Sequence, residues 1–253
     1  MLKSASSLFS LIVLLASFGE AIAQSGERDV VDQRLEWFAL NSNIKFHKRV
    51  GLAFDSQLRY AGSLQSAQNY IRVGLDLYVT PKLSIVPIGG MYVWNYKYGE
   101  QPAAYANDEK RIWQQVLYKH DKSRFHFNHR FRMEERFIQN KSTGSDDFST
   151  QLYRVRYRFQ ANIGLNKEKL EPGAFYLSIW DEAFYGWGKG DTFNKIDQNR
   201  FSVALGYQVA PKVSFTVGAL YQMMVKKNGA QQENNTGVII QFNYNFDFSK
   251  KEN

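Results

Sequence analysis

The stretch Arg124–Phe137, RFHFNHRFRMEERF, decides the fold class of this chain. Its even positions are all charged or polar, whereas its odd positions are mostly aromatic. Successive side chains of a β-strand point to opposite faces, so a strand here has one charged face and one mostly aromatic face. In a helix the same residues would spread around the whole circumference without a coherent stripe. The stretch therefore predicts a strand, either of a soluble sheet with its apolar face buried or of a transmembrane barrel with its polar face inside.

Residues 1–23 have the pattern of a secretory signal peptide. Lys3 precedes the apolar run Leu8–Phe18, and Ala21-Ile22-Ala23 provides a cleavage site of small residues. The run is too short to span a bilayer comfortably, so we expect cleavage after Ala23 and export of the mature chain. The sequence contains no Cys, which excludes a disulfide framework and acylation on cysteine.

Composition favours an all-β chain. The sequence has 15 Tyr, 19 Phe and 5 Trp against 5 Pro. No stretch of the mature chain reaches the ~18 uninterrupted apolar residues that a transmembrane helix requires. The formal charge of +8 would suit a nucleic-acid partner, but the arginines alternate within predicted strands instead of clustering in one patch. Nucleic acid is therefore not an expected partner.

Eleven alternating segments are predicted as strands. They cover residues 35–46, 52–60, 69–80, 83–98, 109–119, 124–138, 150–165, 174–187, 198–210, 213–226 and 236–248. Because bacterial single-chain barrels have even strand numbers, the polar segment 24–34 is expected to supply a short first strand or to enter the lumen. The prediction is a transmembrane antiparallel up-and-down β-barrel of about twelve strands, within a range of ten to twelve, over residues 35–248. A polar tail is expected at 249–253.

The connections between these segments are predicted to alternate strictly in length. Tight ones are expected at 47–51, 81–82, 121–123, 166–173 and 211–212. Longer polar ones are expected at 61–68, 100–108, 140–149, 189–197 and 228–235. This alternation is typical of outer-membrane barrels, which have short periplasmic turns and longer extracellular loops.

Arginine dominates the polar face of the central strands. The lumen charge network predicted from the alternation comprises Arg130, Arg132, Glu134, Arg136, Arg154, Arg156, Arg158, Glu182 and Arg200. Centring the connections places Glu134 opposite Arg156, Arg132 opposite Arg158, and Arg158 opposite Glu182. Asp181 falls on the lipid face, where a charge is costly. A bulge or a shifted register near Trp180 would account for it.

Several motifs resemble a known family. They are NDEKRIWQQ at Asn107–Gln115, HRFRMEERF at His129–Phe137, LYRVRYRF at Leu152–Phe159, and the later WDEAF and DQNRF stretches. Together they resemble the domain of unknown function 2490 family, uncharacterised outer-membrane β-barrel proteins of Bacteroidetes-type bacteria. The resemblance covers nearly the whole mature chain and implies a transmembrane β-barrel, but it implies no biochemical activity.

Three classes of function follow from these patterns. The first is a narrow channel in the outer membrane, whose arginine-rich lumen favours small anionic solutes. The second is a structural or surface-interaction barrel in which Arg and Glu interdigitate to plug the lumen. The third, a membrane-embedded lipid hydrolase, is disfavoured because no Ser motif marks a partner for the inward His126. No cofactor or metal is expected, since His126 and His129 fall on opposite faces of one strand.

The end of the chain carries a predicted assembly signal. Phe242, Tyr244, Phe246 and Phe248 alternate with polar residues almost at the C-terminus. The last strand of an outer-membrane barrel is the one that the barrel insertion machinery recognises. Outer-membrane lipid and this machinery are therefore the expected macromolecular partners.

Overall fold

The computed structural model of the protein describes residues 28–99, 102, 104–144, 147–188, 195–226 and 229–249. The predicted signal peptide at 1–23 lies outside these residues, as does most of the predicted tail at 249–253. No helix within the described ranges is long and apolar enough to cross a membrane. The only helix there is the 3-10 turn Lys141–Thr143.

The described chain forms a closed all-β barrel, which confirms the predicted fold class. Its strands are β1 Asp29–His47, β2 Val50–Ala61, β3 Gln65–Thr80, β4 Leu83–Asn95, β5 Glu109–Lys122, β6 Phe125–Ile138, β7 Thr150–Gly164, β8 Phe175–Gly188, β9 Gln198–Ala210, β10 Val213–Val225, β11 Gln231–Tyr244 and β12 Phe246–Asp247. Each strand from β1 to β10 runs antiparallel to the next one in sequence. The sheet thus has twelve strands, and the first eleven form the wall.

The barrel closes through a parallel pair. Because the wall has an odd number of strands, β1 and β11 run in the same direction, and they pair from Asp29–Gln231 to Asn41–Asn243. The two residues of β12 continue this seam beside Ile44 and Lys45. Residues 29–34, for which a separate short strand or a lumenal position was expected, instead form the start of β1. Their main chain is already paired with β11, so they complete the seam.

The two rims of the barrel differ, although less strictly than predicted. We call the rim with the connections 48–49, 81–82, 123–124, 165–174 and 211–212 the turn rim. The opposite rim, with the connections 62–64, 96–108, 139–149, 189–197 and 226–230, is the loop rim. The strict alternation fails because 165–174 has ten residues and 62–64 has three. Polar side chains at 65–68 led to the prediction of a loop there, but main-chain pairing does not depend on apolar side chains, so β3 already begins at Gln65.

Large apolar side chains cover the outside of the wall. Exposed examples from nine strands are Phe38, Leu40, Leu58, Ile71, Val73, Ile112, Val116, Phe131, Tyr157, Leu205, Val217, Ile240 and Phe242. A water-soluble monomer rarely exposes so continuous an apolar surface. The polar face of each strand correspondingly points into the lumen, as the alternation predicts.

Asp181 is an exception on this outer surface. The pairing of β8 with β7 and with β9 is regular through Trp180 and Asp181, so the postulated bulge or shifted register is absent from these described strands. Asp181 therefore faces outward, and the Asn199 side chain, one strand away, donates to its two carboxylate oxygens at 3.3 and 3.2 Å.

Candidate functional site

The lumen contains the charged side chains that the strand alternation predicts. Arg132, Glu134, Arg154, Arg156, Glu182 and Arg200 are buried, and Arg130, Arg136 and Arg158 line the interior beside them. Further arginines contribute from strands where sequence reasoning assigned none, namely Arg59, Arg72 and Arg111. The inner faces of the strands thus bring every predicted network residue into one space.

Glu134 lies at the centre of the network and is fully buried. Its Oε1 accepts a hydrogen bond from Arg156 Nη1 at 2.7 Å, and its Oε2 accepts one from Arg111 Nη1 at 3.2 Å. The strand register differs from the expected one, because Glu134 lies opposite Arg154. The expected contact with Arg156 nevertheless forms, since the long guanidinium reaches diagonally across two residues.

Glu182 shows the opposite outcome. Glu182 lies opposite Arg158 in the strand register, as expected, but its carboxylate binds other arginines. Arg130 Nη2 donates to Oε1 at 2.6 Å, and Arg156 donates from Nε at 3.1 Å and from Nη2 at 2.9 Å. Arg158 instead donates from Nη2 to Gln160 Oε1 at 3.1 Å. Adjacent backbone positions therefore do not determine which side chains pair.

Carboxylates neutralise the arginines on the loop side of Glu134. Glu109 accepts from Arg111 Nε at 2.8 Å and from Arg136 at 2.7 and 3.1 Å. Arg154 donates to Asp197 at 2.8 Å. Sequence reasoning did not place Glu109 and Arg111 in the network, although their two-residue spacing from Trp113 in the NDEKRIWQQ motif puts all three side chains on one face of β5. That spacing was the signal that could have identified them.

Two arginines on the turn side, Arg132 and Arg158, contact amides in place of a close carboxylate. Arg132 donates from Nε to Gln115 Oε1 at 3.1 Å, and its Nη1 is 4.0 Å from Glu134. Within the described part of the chain, Arg158 has no carboxylate within ion-pair distance. The atoms Arg130 Nε, Arg132 Nη1 and Arg158 Nε are buried there without a hydrogen-bond partner. These guanidinium groups are therefore only partly satisfied.

Aromatic rings support the same guanidinium groups. Arg158 lies 4.1 Å above the Trp180 ring, and Arg132 lies 4.9 Å from the Trp113 ring. Gly74 and Gly89 make room for Trp113, because a Cβ on either would overlap the indole. Such cation–π contacts hold the planar group by its face and leave its N–H edges available.

Two cavities share the lumen. The turn-side cavity has about 560 Å³ and extends from Arg132 and Arg158 to Asn245 near the turn rim. The loop-side cavity has about 440 Å³ and is lined by Glu109, Arg111 and residues of the loop 96–108. Five side chains border both cavities, and we call them the middle belt: Trp37, Arg59, Tyr70, Arg72 and Arg200. Arg59 lies 3.9 Å from the Trp37 ring within it.

Described residues of the connection after β4, among them Tyr98 and Tyr105, line the loop-side cavity. Tyr98 donates its hydroxyl hydrogen to Glu233 Oε2 at 3.2 Å and packs against the apolar cluster around Trp37. Burial raises the pKa of Tyr98, and the Glu233 carboxylate adds to this effect. Lys226, which follows β10, also pairs with Glu233, so this residue of β11 contacts both neighbouring connections.

The histidines are separated as predicted. His126 faces the lumen near the turn rim, where its Nδ1 is 2.8 Å from Asp121 and its Nε2 is 2.8 Å from the carbonyl oxygen of Glu168. His129 lies on the other face of β6, with its Nδ1 2.8 Å from the Tyr157 hydroxyl. Among the described residues, no group of three or more His, Asp or Glu side chains is arranged to hold a metal ion.

The residues of the predicted assembly signal lie along the seam. Phe242 and Tyr244 point outward from β11, and Phe246 packs edge-on against Tyr244 at 4.3 Å between ring centroids. Phe248 stacks on Phe46 of β1 at 6.4 Å. These aromatic residues therefore form one outer strip beside the closing strand pair.

The fold and its interior define the class: a closed β-barrel with an apolar outer surface and an arginine-rich lumen. The profile of a family described as "Protein of unknown function (DUF2490)" matches residues 36–234, and the chain belongs to this family. The match includes every predicted network residue. A search of curated proteins finds no match.

Proposed function

We propose that this chain is an outer-membrane β-barrel whose narrow, arginine-rich lumen admits small anionic solutes. The apolar outer surface and the polar interior support insertion into a bilayer, because a membrane barrel turns its apolar face to lipid. The predicted signal peptide provides the route of export. We expect the turn rim to face the periplasm and the aromatic strip along the seam to be the part that the insertion machinery recognises.

The observation that carries the proposal is a surplus of cations around the turn-side cavity. Its cationic lining comprises Arg59, Arg72, Lys82, Lys119, Arg130, Arg132, Arg158 and Arg200. Its acidic lining comprises Asp55, Asp121 and Glu182. A cleft lined mainly by one sign of charge, within walls of low dielectric, concentrates ions of the opposite sign. Rings of arginine are also the usual basis of anion preference in pores.

A second candidate function, a structural or surface-interaction barrel with a plugged lumen, is favoured by the middle belt. Trp37 and Arg59 stack there between the two cavities, and Arg72 donates to Asp55 at 2.8 Å. A channel requires that ions pass these side chains. In a plugged barrel the same contacts are permanent.

Bilayer conductance separates these two functions. The mature protein, refolded in detergent and inserted into planar bilayers, is examined under a KCl gradient. We expect small steps of current with a reversal potential displaced toward that of chloride. Folded protein that inserts but passes no current would support the plugged barrel, and a preference for potassium would contradict the anionic path.

Fractionation tests the location separately. We expect the mature protein, starting near Gln24, to remain with outer membranes until detergent is added. Recovery from the soluble periplasmic fraction without detergent would contradict the membrane proposal.

A further inference from the structure

The inner wall formed by β6 and β7 places like charges directly opposite one another. Arg130 lies opposite Arg158, and Arg132 lies opposite Arg156. Like charges at such positions destabilise a sheet unless something compensates them. Glu182 compensates Arg130 and Arg156, with which it forms hydrogen bonds. Arg132 and Arg158 are left with the amide oxygens of Gln115 and Gln160.

Arg132 provides an independent indication of an anion site in this wall. Only 3% of its surface is exposed, it lines the turn-side cavity, and its Nη1 has no hydrogen-bond partner. The nearest carboxylate, that of Glu134, is 4.0 Å away and already accepts from Arg111 and Arg156. Leaving a buried donor of a charged group unsatisfied is costly, so we expect an acceptor to bind there.

The surrounding side chains hold the two guanidinium groups in place. Trp180 lies beneath Arg158, and Trp113 lies beside Arg132. Gln160, which accepts from Arg158, itself donates to Asn162 at 3.0 Å and to Ser178 at 3.1 Å. The donors are therefore fixed before a ligand arrives, as a selective site requires.

We propose that Arg130, Arg132 and Arg158 form a binding site for a doubly charged oxyanion, a phosphate group either free or as the monoester of a small solute. Guanidinium forks match the oxygen geometry of phosphate. Arg158 has no carboxylate partner among the described residues, and Arg132 has only the distant carboxylate of Glu134, which Arg111 and Arg156 share. A dianion neutralises the charge that these two guanidinium groups retain. A cavity of about 560 Å³ is within the size range of small-molecule sites.

This site makes the proposed function more specific. It rests on that proposal, because the solute must reach the site through the lumen from the turn rim. It names the solute class and the side chains that select it. Binding can be measured without conduction, so the two proposals can fail separately.

The test is titration calorimetry of the folded barrel in detergent at pH 8, where inorganic phosphate is mostly a dianion. Inorganic phosphate is the first probe, glycerol phosphate the monoester and acetate the singly charged comparison. We expect saturable binding of both phosphates and at least tenfold weaker binding of acetate. Acetate that binds as tightly as phosphate would overturn the assignment of a dianion.

Variants locate the site. Arg132→Gln and Arg158→Gln should each weaken phosphate binding at least tenfold, whereas Arg49→Gln, an exposed position at the turn rim, should change it less than twofold. Equal losses in all three would show a general effect of charge and overturn the site. If Arg132→Gln does not fold, as judged by heat-modified mobility on a gel, Arg158→Gln decides, because Arg158 is less buried. Anion-selective current without phosphate binding would support the channel and contradict the phosphate site. Phosphate binding without current would support the site and contradict the channel.

Discussion

The loop-side and turn-side halves of the lumen are built from the same side chain but differ in its partners. On the loop side, Arg111 and Arg136 share Glu109, and Arg154 pairs with Asp197. On the turn side, Arg132 and Arg158 rest on amides and aromatic rings. Paired arginines fill a barrel, because each buried charge is neutralised by its neighbour. Unpaired arginines attract an anion from outside. The number of arginines therefore says little about the charge of a lumen until their partners are known.

The largest expected effect is that of Glu134→Gln, which breaks the loop-side network at its centre. Removing one partner of a buried ion pair costs about 3–5 kcal/mol, although water in the lumen will reduce this. We expect a clear fall in the thermal unfolding midpoint, measured by the heat-modified mobility of the protein on a gel. The fall should be smaller at high salt. Glu171→Gln is the control, because its pair with Lys167 is exposed. Equal midpoints for both variants would show that the network does not stabilise the barrel.

The second-largest effect is expected from Gly89→Ala, which disturbs the Trp113 indole beside Arg132 in the turn-side half. The added methyl group would overlap the Trp113 indole, and overpacking of this kind costs about 1–3 kcal/mol. Gly90→Ala is the matched control, since a Cβ there meets nothing within 4 Å. We expect a lower unfolding midpoint only for Gly89→Ala. The same fall in both would place the cause in the main chain of β4 and not in the indole.

Ion preference sharpens the contrast between the halves. Arg158→Gln removes a charge without a carboxylate partner, so the reversal potential should move toward that of potassium. Arg136→Gln removes a charge that Glu109 already neutralises in part, and we expect a smaller shift. Shifts of equal size, measured under one KCl gradient, would mean that the two halves do not differ electrostatically.

The smallest effect is expected from Asp181→Asn on the outer surface. Glu182, its neighbour in sequence, faces inward and binds two arginines, so Glu182→Gln should lower the unfolding midpoint. Asp181 contacts Asn199 instead, and a carboxylate facing lipid is unfavourable. We expect Asp181→Asn to leave stability within about 1 kcal/mol of the original protein, on the stabilising side. A marked loss in lipid vesicles would indicate that the contact of the Asp181 carboxylate with Asn199 stabilises the barrel.

Strand periodicity made the faces of the wall predictable. The side chains of Arg130, Arg132, Glu134 and Arg136 point inward in the structure, because the two-residue repeat of a strand is a local property. The register between β6 and β7 was wrong by two residues, because the connection 139–149 sets it and a polar loop does not reveal how far each strand extends. The contact between Glu134 and Arg156 was still correct, since long side chains tolerate such a shift.

The parallel pairing that closes the barrel could not be predicted from local patterns. The seam joins Asn41 to Asn243, whose side chains are hydrogen-bonded at 3.0 Å although they are far apart in sequence. Arg59 and Arg72 were missed for a related reason: each is a single cation on its predicted strand, and only closure brings it beside Arg200 in the middle belt. The surplus of cationic side chains around the turn-side cavity could not be predicted either, because it depends on residues from strands that are far apart in sequence.

The parallel seam also limits how the chain could be rewired. Because β1 begins at the loop rim and β11 ends at the turn rim, a circular permutant cannot join these two ends by a short loop. A linker would have to span the barrel from the turn rim to the loop rim. For tilted strands of this length that distance is roughly 30 Å, or about ten extended residues. Such a linker would be as extended as a strand but would have no main-chain pairing with the sheet. Permuted versions should therefore assemble only if that segment can lie along the seam or pass through the lumen.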